Sequence, residues 1–271
     1  MKKKKEKTFQ EGVCHLCGCQ GKLCEAHIIP KALKHLVAGR GGTFAALEIV
    51  PTEESSFTSK PIKAYPTQNL DSDKNILCSE CDNEILGVYD KILVNFYKKY
   101  IQLSNTSIIT DSIYIKIDKR LYFGFLTLLY RASIAKQFVH IPEHYKEIIR
   151  FSLFDQTIQN LSDDLRIYFC GHRSDFSSNS IYNIYGCSKE DGQYVYCFPS
   201  FGLEVIFLLG NIGRTQLSNV LALGCIYQEL TLLNPNQEYV KIHFSTYPSQ
   251  LTQIQRAIQR PLPPMAKKIR K

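Results

Sequence analysis

Two Cys-x2-Cys pairs, Cys14–Cys17 and Cys78–Cys81, constrain this chain more than any other feature. Each pair places two thiols on one tight turn, where both can bind a tetrahedral Zn²⁺. Together the pairs complete a four-sulfur structural site. Closing the segment between them costs entropy that grows only slowly with its length. Metal binding, worth about 10–16 kcal/mol in small structural zinc sites, offsets that cost. Cys19 and Cys24 lie nearby and could substitute as ligands, but they break the paired spacing. The competing reading is two coincidental pairs of buried thiols. The chain has ten cysteines in 271 residues. A chain of that length needs no disulfide staples. Met1-Lys2-Lys3-Lys4-Lys5 leads into no apolar segment, so it does not read as a secretory signal. Reduced thiols, a cytoplasmic location and no membrane span are therefore expected.

The net charge of +8 is unevenly spread. Residues 1–7 carry +4 and residues 256–271 carry +6, which leaves −2 on everything between. Basic tails can hold a phosphate backbone by counterion release, and they can equally be solvated and inert. Charge permits a nucleic-acid partner without demonstrating one.

The pattern divides the chain into four parts. Residues 1–12 read as a basic flexible lead-in, 13–104 as the zinc-binding module, 105–260 as an α+β domain, and 261–271 as a basic Pro-rich tail. Within the module, Gly39–Gly42 and Pro51–Pro66 have loop composition. After Cys81, Ile85, Val88, Tyr89, Ile92, Leu93 and Phe96 recur at helical spacing. Further on, Ile113, Ile115 and Ile117 alternate with polar residues as in a strand. Leu121–Phe138 and Pro142–Phe154 read as helices. Leu165–Cys170, Tyr194–Phe198, Glu204–Leu209 and Val240–His243 read as strands, and Pro248–Gln259 as a short helix. Asn219–Leu223 fits either type. The fold class expected is α+β: a zinc-bound N-terminal module followed by a mixed α+β domain.

Glu25-Ala26-His27-Ile28-Ile29-Pro30-Lys31 follows the first pair, and Ile76-Leu77-Cys78-Ser79-Glu80-Cys81-Asp82-Asn83 contains the second. In this order residues 13–95 resemble HNH endonucleases, and most closely the HNH-like proteins whose first half reads S/E-H-I-I-P-K. The resemblance implies a treble-clef, ββα-metal fold in which Cys14, Cys17, Cys78 and Cys81 hold a structural zinc. It implies a separate catalytic divalent ion, Mg²⁺ or Mn²⁺, and a DNA substrate. His27 matches the general base that activates water against the scissile phosphate, and a neutral imidazole suits that task. Asp82 matches the position after the last cysteine and could ligate the ion, with Asn83 beside it. The chain departs from the family pattern at Ala26, where an acidic ligand is usual. Glu25 is one residue off, on the opposite face of a strand. Asn75 and Asn69 are candidates for the middle position, whose usual offset Asp73 occupies.

Simpler roles compete for each residue. His27 could orient the hairpin through a backbone carbonyl, and Asp82 or Asn83 could cap the helix. His15 reads as exposed and inert. His35 could contact phosphate or metal, and Lys31 and Lys34 could contact phosphate or form a solvated face. In the second half, Arg131 sits in an apolar helix, so it needs a paired acid or carbonyl and could dock that helix on the first module. His172 and Arg173 read as a surface loop. Cys170, Cys187, Cys197 and Cys225 read as small buried apolar residues. A metal-dependent HNH endonuclease is the leading expectation. A degenerate zinc module that binds nucleic acid or protein is the alternative, and the second half could serve self-association or a protein partner.

Overall fold

The computed structural model describes residues 10–38, 44–49, 62–67, 72–106, 111–135, 139–157, 165–172, 185–190, 193–210 and 230–245. Among them are three sheets and four α-helices in a mixed α+β arrangement. No described helix is long and apolar enough to cross a membrane.

The first sheet is the scaffold of the cysteine pairs. Strand β1 (Gln10–Val13) and strand β2 (Gln20–His27) form an antiparallel hairpin whose connecting turn carries Cys14 and Cys17. Gly18 closes that turn at φ 76°, a left-handed conformation that glycine adopts without steric cost. Helix α1 (Lys31–Ala38) follows Pro30. Strands β3 (Phe44–Ile49) and β4 (Ile62–Thr67) form a separate antiparallel pair. The loop expected across Pro51–Pro66 is therefore corrected at its end: residues 62–66 are strand, and the rest lies outside the described residues. A two-stranded ribbon has only edge strands, which is where Pro66 is tolerated. Strand β5 (Ser72–Cys78) completes the first sheet beside β2. One π-helical turn, Cys81–Ile85, then leads into helix α2 (Leu86–Thr106).

The second half is a seven-stranded sheet with helices. It contains β6 (Ser112–Lys116), α3 (Leu121–Ile134), α4 (Glu143–Phe154), β7 (Leu165–His172), β8 (Tyr185–Glu190), β9 (Gln193–Ser200), β10 (Leu203–Leu209), β11 (Thr231–Leu232) and β12 (Tyr239–Ser245). The order is β6-β12-β7-β10-β9-β8, with β11 on β7. Strand β8 was not expected. The segments 219–223 and 248–259 lie outside the described residues. Strand β10 is buried along its whole length, so its run of apolar residues has no polar alternation.

Helix α2 joins the two halves. Phe96, Tyr97 and Tyr100 on one face pack with Phe125 of α3 and Phe169 of β7, with ring centroids 5.2–6.4 Å apart. Two buried hydroxyls find partners. Tyr100 donates to the Gly202 carbonyl at 2.9 Å, and Ser200 donates to the Tyr97 oxygen at 2.6 Å. Most of the described buried apolar side chains form one cluster from Cys14 to Phe244, while Tyr168, Cys170, Val195, Cys197, Ile206 and Leu208 of the large sheet are buried outside it. Cys170 and Cys197 are buried within the sheet, as read from sequence. Cys187 and Cys225 have no described side chains.

Two glycines set close approaches of different kinds. A Cβ on Gly171 would lie 2.8 Å from Phe244 Cδ1 and 3.0 Å from the His243 carbonyl oxygen, so β12 backbone stands in the way. A Cβ on Gly124 would lie 2.9 Å from Leu93 Cγ, so the fully buried leucine side chain, rather than backbone, has to move. Gly124→Ala also gains about 1 kcal/mol of helix propensity. Gly171→Ala is expected to cost about 1–3 kcal/mol and Gly124→Ala clearly less. Urea midpoints at unchanged m-value measure both.

A four-cysteine centre beside a buried ion bridge

The hairpin turn and the end of β5 bring the four expected cysteines together. The sulfurs of Cys14, Cys17, Cys78 and Cys81 all lie within 4.8 Å of one another, an arrangement that can hold a metal ion. A tetrahedron with metal–sulfur bonds of about 2.3 Å has sulfurs about 3.8 Å apart. Backbone amides point at the sulfurs: Cys19 N–H donates to Cys17 Sγ at 3.4 Å, and Cys78 N–H to Cys14 Sγ at 3.3 Å. The first turn is tied to β5 by the His15 N–H, which donates to the Ile76 carbonyl at 3.0 Å. Burial and the neighbouring sulfurs push the Cys78 and Cys81 thiols up. At Cys17 burial also pushes upward, but hydrogen bonds from Cys19, Cys14 and Cys81 outweigh it and bring the thiol to about 7. A cation at the centre favours four thiolates, which burial alone disfavours. Cys19 is exposed, and Cys24 points elsewhere.

The second half buttresses this centre through the carbonyls of the first turn. Tyr130 donates from α3 to the His15 oxygen at 2.7 Å, and Arg150 donates from α4 to the Leu16 oxygen at 3.0 Å. His15 itself is exposed, as expected.

One residue further along, Asp82 leaves the cysteine centre and faces α3. Arg131, only 2% exposed, donates to Asp82 Oδ1 at 3.0 Å and to Asp90 Oδ1 at 2.7 Å. Burial opposes the guanidinium's charge, but the two carboxylates more than compensate and raise its pKa. The sequence called for an acid partner to Arg131; the structure supplies two. Asp90 was not anticipated as a site residue. The available signal was its position two turns after Asp82 on a helix that α3 had to pack against. Asp82 does not cap the helix, because its carboxylate is taken by Arg131.

His27, half-buried at the end of β2, joins the same cluster. Burial lowers its pKa below the ordinary 6.5, against the opposing pull of Asp82 and Glu25. Lys31 lies close enough to add to the lowering. The other edge of Asp82 meets Cys24, whose Sγ is 4.0 Å from Oδ2. Burial and then the Asp82 charge push that thiol up to about 11. Cys24, His27, Asp82, Asp90 and Arg131 thus form one polar cluster beside the cysteine centre.

Other candidates stand outside it. Asn83 is exposed, and its amide donates to the Ser79 carbonyl and hydroxyl oxygens at 2.9 and 3.1 Å. Asn75 sits at φ 66° and donates to Gln10 Oε1 at 2.7 Å. Asp73 pairs with Ala26 in backbone register. Asn69 lies outside the described residues. Lys34 is buried on α1, and His35 is half-buried. The reading of His172 as a surface-loop residue is corrected. Strand β7 continues to His172, whose Nε2 lies 3.0 Å from Glu204 Oε2 in the buried sheet. Arg173 lies outside the described residues.

Compared with family models, curated proteins and solved structures, the chain has no match in any of the three.

Two predictions follow from the bonding around these residues. Cys14→Ser is expected to lose the bound metal and to expose residues 10–38 and 72–81 to amide exchange, while β7 and β10 stay protected. Cys19→Ser is expected to retain the metal. Arg131→Met is expected to cost about 3–5 kcal/mol, because two carboxylates lose their counter-charge. Adding Asp82→Asn and Asp90→Asn should recover much of that loss, as urea denaturation of the single and triple variants would report.

Proposed function

We propose that the chain is an HNH-type endonuclease that hydrolyses nucleic-acid phosphodiester bonds, DNA first among them, with zinc as the ion of the four-cysteine centre. Four thiolate-forming ligands in two Cys-x2-Cys pairs are the donor set that zinc prefers in structural sites. The observation that supports the nuclease reading is the nearness of His27 to Asp82, whose charge acts on the imidazole. The end of the hairpin and the start of the helix are far apart in sequence, yet they converge beside the cysteines. That is where the HNH resemblance puts its general base and its acidic partner.

In this reading His27 accepts the proton of the attacking water. Its lowered pKa keeps the imidazole neutral at neutral pH, and the nearby Asp82 carboxylate stabilises the imidazolium formed on proton transfer. Asp82 is itself held in one orientation by Arg131. Arg131 is too buried to touch a phosphate, so it is a positioning residue.

The described residues do not make a complete site for a catalytic divalent ion. Ala26 offers no donor. One oxygen of Asp82 and one of Asp90 are taken by Arg131. The four cysteines are the only group of three or more potential ligands found together among the described residues. No step of the reaction is drawn through Mg²⁺ or Mn²⁺. The same feature favours a second reading, a degenerate zinc module that binds nucleic acid without cutting it.

Plasmid cleavage separates the two. Wild type should nick DNA, and His27→Ala should lose at least about 100-fold in rate, the scale of general-base catalysis, at unchanged zinc content. The rate should fall as pH drops through the His27 pKa, with a midpoint below about 6.5, because protonation removes the base. Intact DNA from the wild type across EDTA, Mg²⁺ and Mn²⁺, with one zinc per chain, would favour the binding module. Full activity of His27→Ala would refute the role of His27.

A further inference from the structure

The edge of the large sheet carries an exposed face that the cysteine module does not use. Strands β6 and β12 pair antiparallel, with Tyr114 opposite Lys241 and Lys116 opposite Tyr239. Their other face is buried through Ile113, Ile115, Val240 and Ile242. The period of two then sends Ser112, Tyr114, Lys116, Tyr239, Lys241 and His243 to the opposite side. Tyr114 is 65% exposed and Tyr239 57% exposed, the most exposed large hydrophobic residues described. Each carries an ammonium over its ring. Lys116 Nζ is 5.9 Å from the Tyr239 centroid, and Lys241 Nζ is 5.6 Å from that of Tyr114.

This checkerboard has a definite chemistry. The two tyrosines are diagonal neighbours, roughly 7–8 Å apart in an antiparallel pair, and so are the two lysines. None of the six side-chain positions is acidic. Neither lysine forms an ion pair with a carboxylate among the described residues. The two neighbouring acids are already engaged, Glu238 by Lys119 at 3.1 Å and Asp118 by Arg120 at 3.0 Å. A third ammonium, Lys99 of α2, reaches the end of β6 and donates to the Lys116 carbonyl at 2.9 Å. Two aromatic planes flanked by uncompensated positive charge match a polyanion that also offers flat apolar rings. A solvated lysine face would not call for exposed tyrosines, and a protein partner of ordinary composition would not call for the one-sided charge.

We propose that the β6–β12 face is a platform for single-stranded nucleic acid. Bases stack on Tyr114 and Tyr239, and Lys116 and Lys241 contact the backbone between them. This surface is distinct from the His27 cluster, and binding there does not require cleavage.

The test is fluorescence anisotropy of a fluorescein-labelled oligothymidylate of about twelve nucleotides, within the usual footprint of such surfaces. It uses the full zinc-loaded chain without added Mg²⁺. Tyr114→Ala and Tyr239→Ala should each weaken binding roughly tenfold. Tyr→Phe at either position should stay within about twofold, because stacking needs the ring and not the hydroxyl. Lys116→Gln with Lys241→Gln should reduce the slope of log affinity against log salt by about one to two. A duplex of the same length should bind more weakly and ignore the tyrosine substitutions. Equal affinity of wild type and Tyr→Ala variants would overturn the platform and leave binding to charge elsewhere. Loss of self-association or of anionic-vesicle binding in the Tyr→Ala variants, with no change towards the oligonucleotide, would assign the face to another partner and equally overturn it. Both outcomes can be read whether or not His27 cuts DNA.

Discussion

A buried guanidinium between two carboxylates is the interaction on which both the join of the two halves and the candidate site depend. Arg131 has almost no contact with water, so its charge is tolerable only while Asp82 and Asp90 face it. Those acids stand two helical turns apart on the chain that leaves the last cysteine. The bridge therefore fixes the rotation of α2 about its axis relative to α3, and with it the direction of Asp82. Neither helix can turn without stranding a charge. The packing of Phe96, Tyr97 and Tyr100 follows from that same rotation, since Tyr97 lies two turns beyond Asp90 on the side of α2 that meets α3. Site geometry and fold stability are here the same constraint.

The cysteine centre is braced in a comparable way. In a small isolated zinc domain the metal supplies most of the folding free energy. Here the first turn is held from outside as well, because Tyr130 and Arg150 donate to two of its carbonyls. A metal held by the four sulfurs would brace one side as α3 and α4 brace the other, leaving the hairpin that carries the half-buried His27 little freedom. Residues 130 and 131 divide the labour. Tyr130 steadies the knuckle and Arg131 steadies the acid, so one turn of α3 serves both ends of the module.

What could be read from the sequence was what depends on near neighbours. The cysteine pairs are local turns, the alternation of Ile113 and Ile115 is a local strand, and the apolar rows of α2 and α3 are local periodicities. An apolar helix containing an arginine demands a counter-charge, and that demand was legible, whereas the identity of Asp90 was not. His172 shows the same limit. Gly171-His172-Arg173 has loop composition, and it is Glu204, brought alongside by β10, that pairs with the buried histidine. Counting back from Cys78 to find the middle residue fails for a further reason. The β2–β5 register slips between Cys24 and Glu25, from Leu77 to Lys74, so Asn75 and Ile76 have no partner in β2. Asn75, in a left-handed conformation, turns to Gln10 on β1, and any fixed offset from the cysteine loses its meaning across the slip.

The two surfaces proposed for nucleic acid share α2. Asp82 immediately precedes it, and Lys99, near its other end, meets the β6 edge. Seventeen residues separate them, which at 1.5 Å per residue is about 25 Å along the axis. A strand stacked on Tyr114 and Tyr239 would have to run the length of α2 to present a phosphodiester to His27. The side of α2 along that route is decided by Arg131, which holds one face against α3 and leaves Lys91, Asn95 and Lys98 outside the apolar cluster. Two of those three are cationic and the third is a neutral amide. The only acids on α2 are therefore Asp90, engaged by Arg131, and none beyond it. A helix whose single acid is already neutralised by a buried guanidinium does not repel a backbone passing along it. The same ion bridge that orients Asp82 thus also keeps α2 itself from being anionic, and the exposed carboxylates near the end of that route are those of Glu80 and Glu84 in the turn before it.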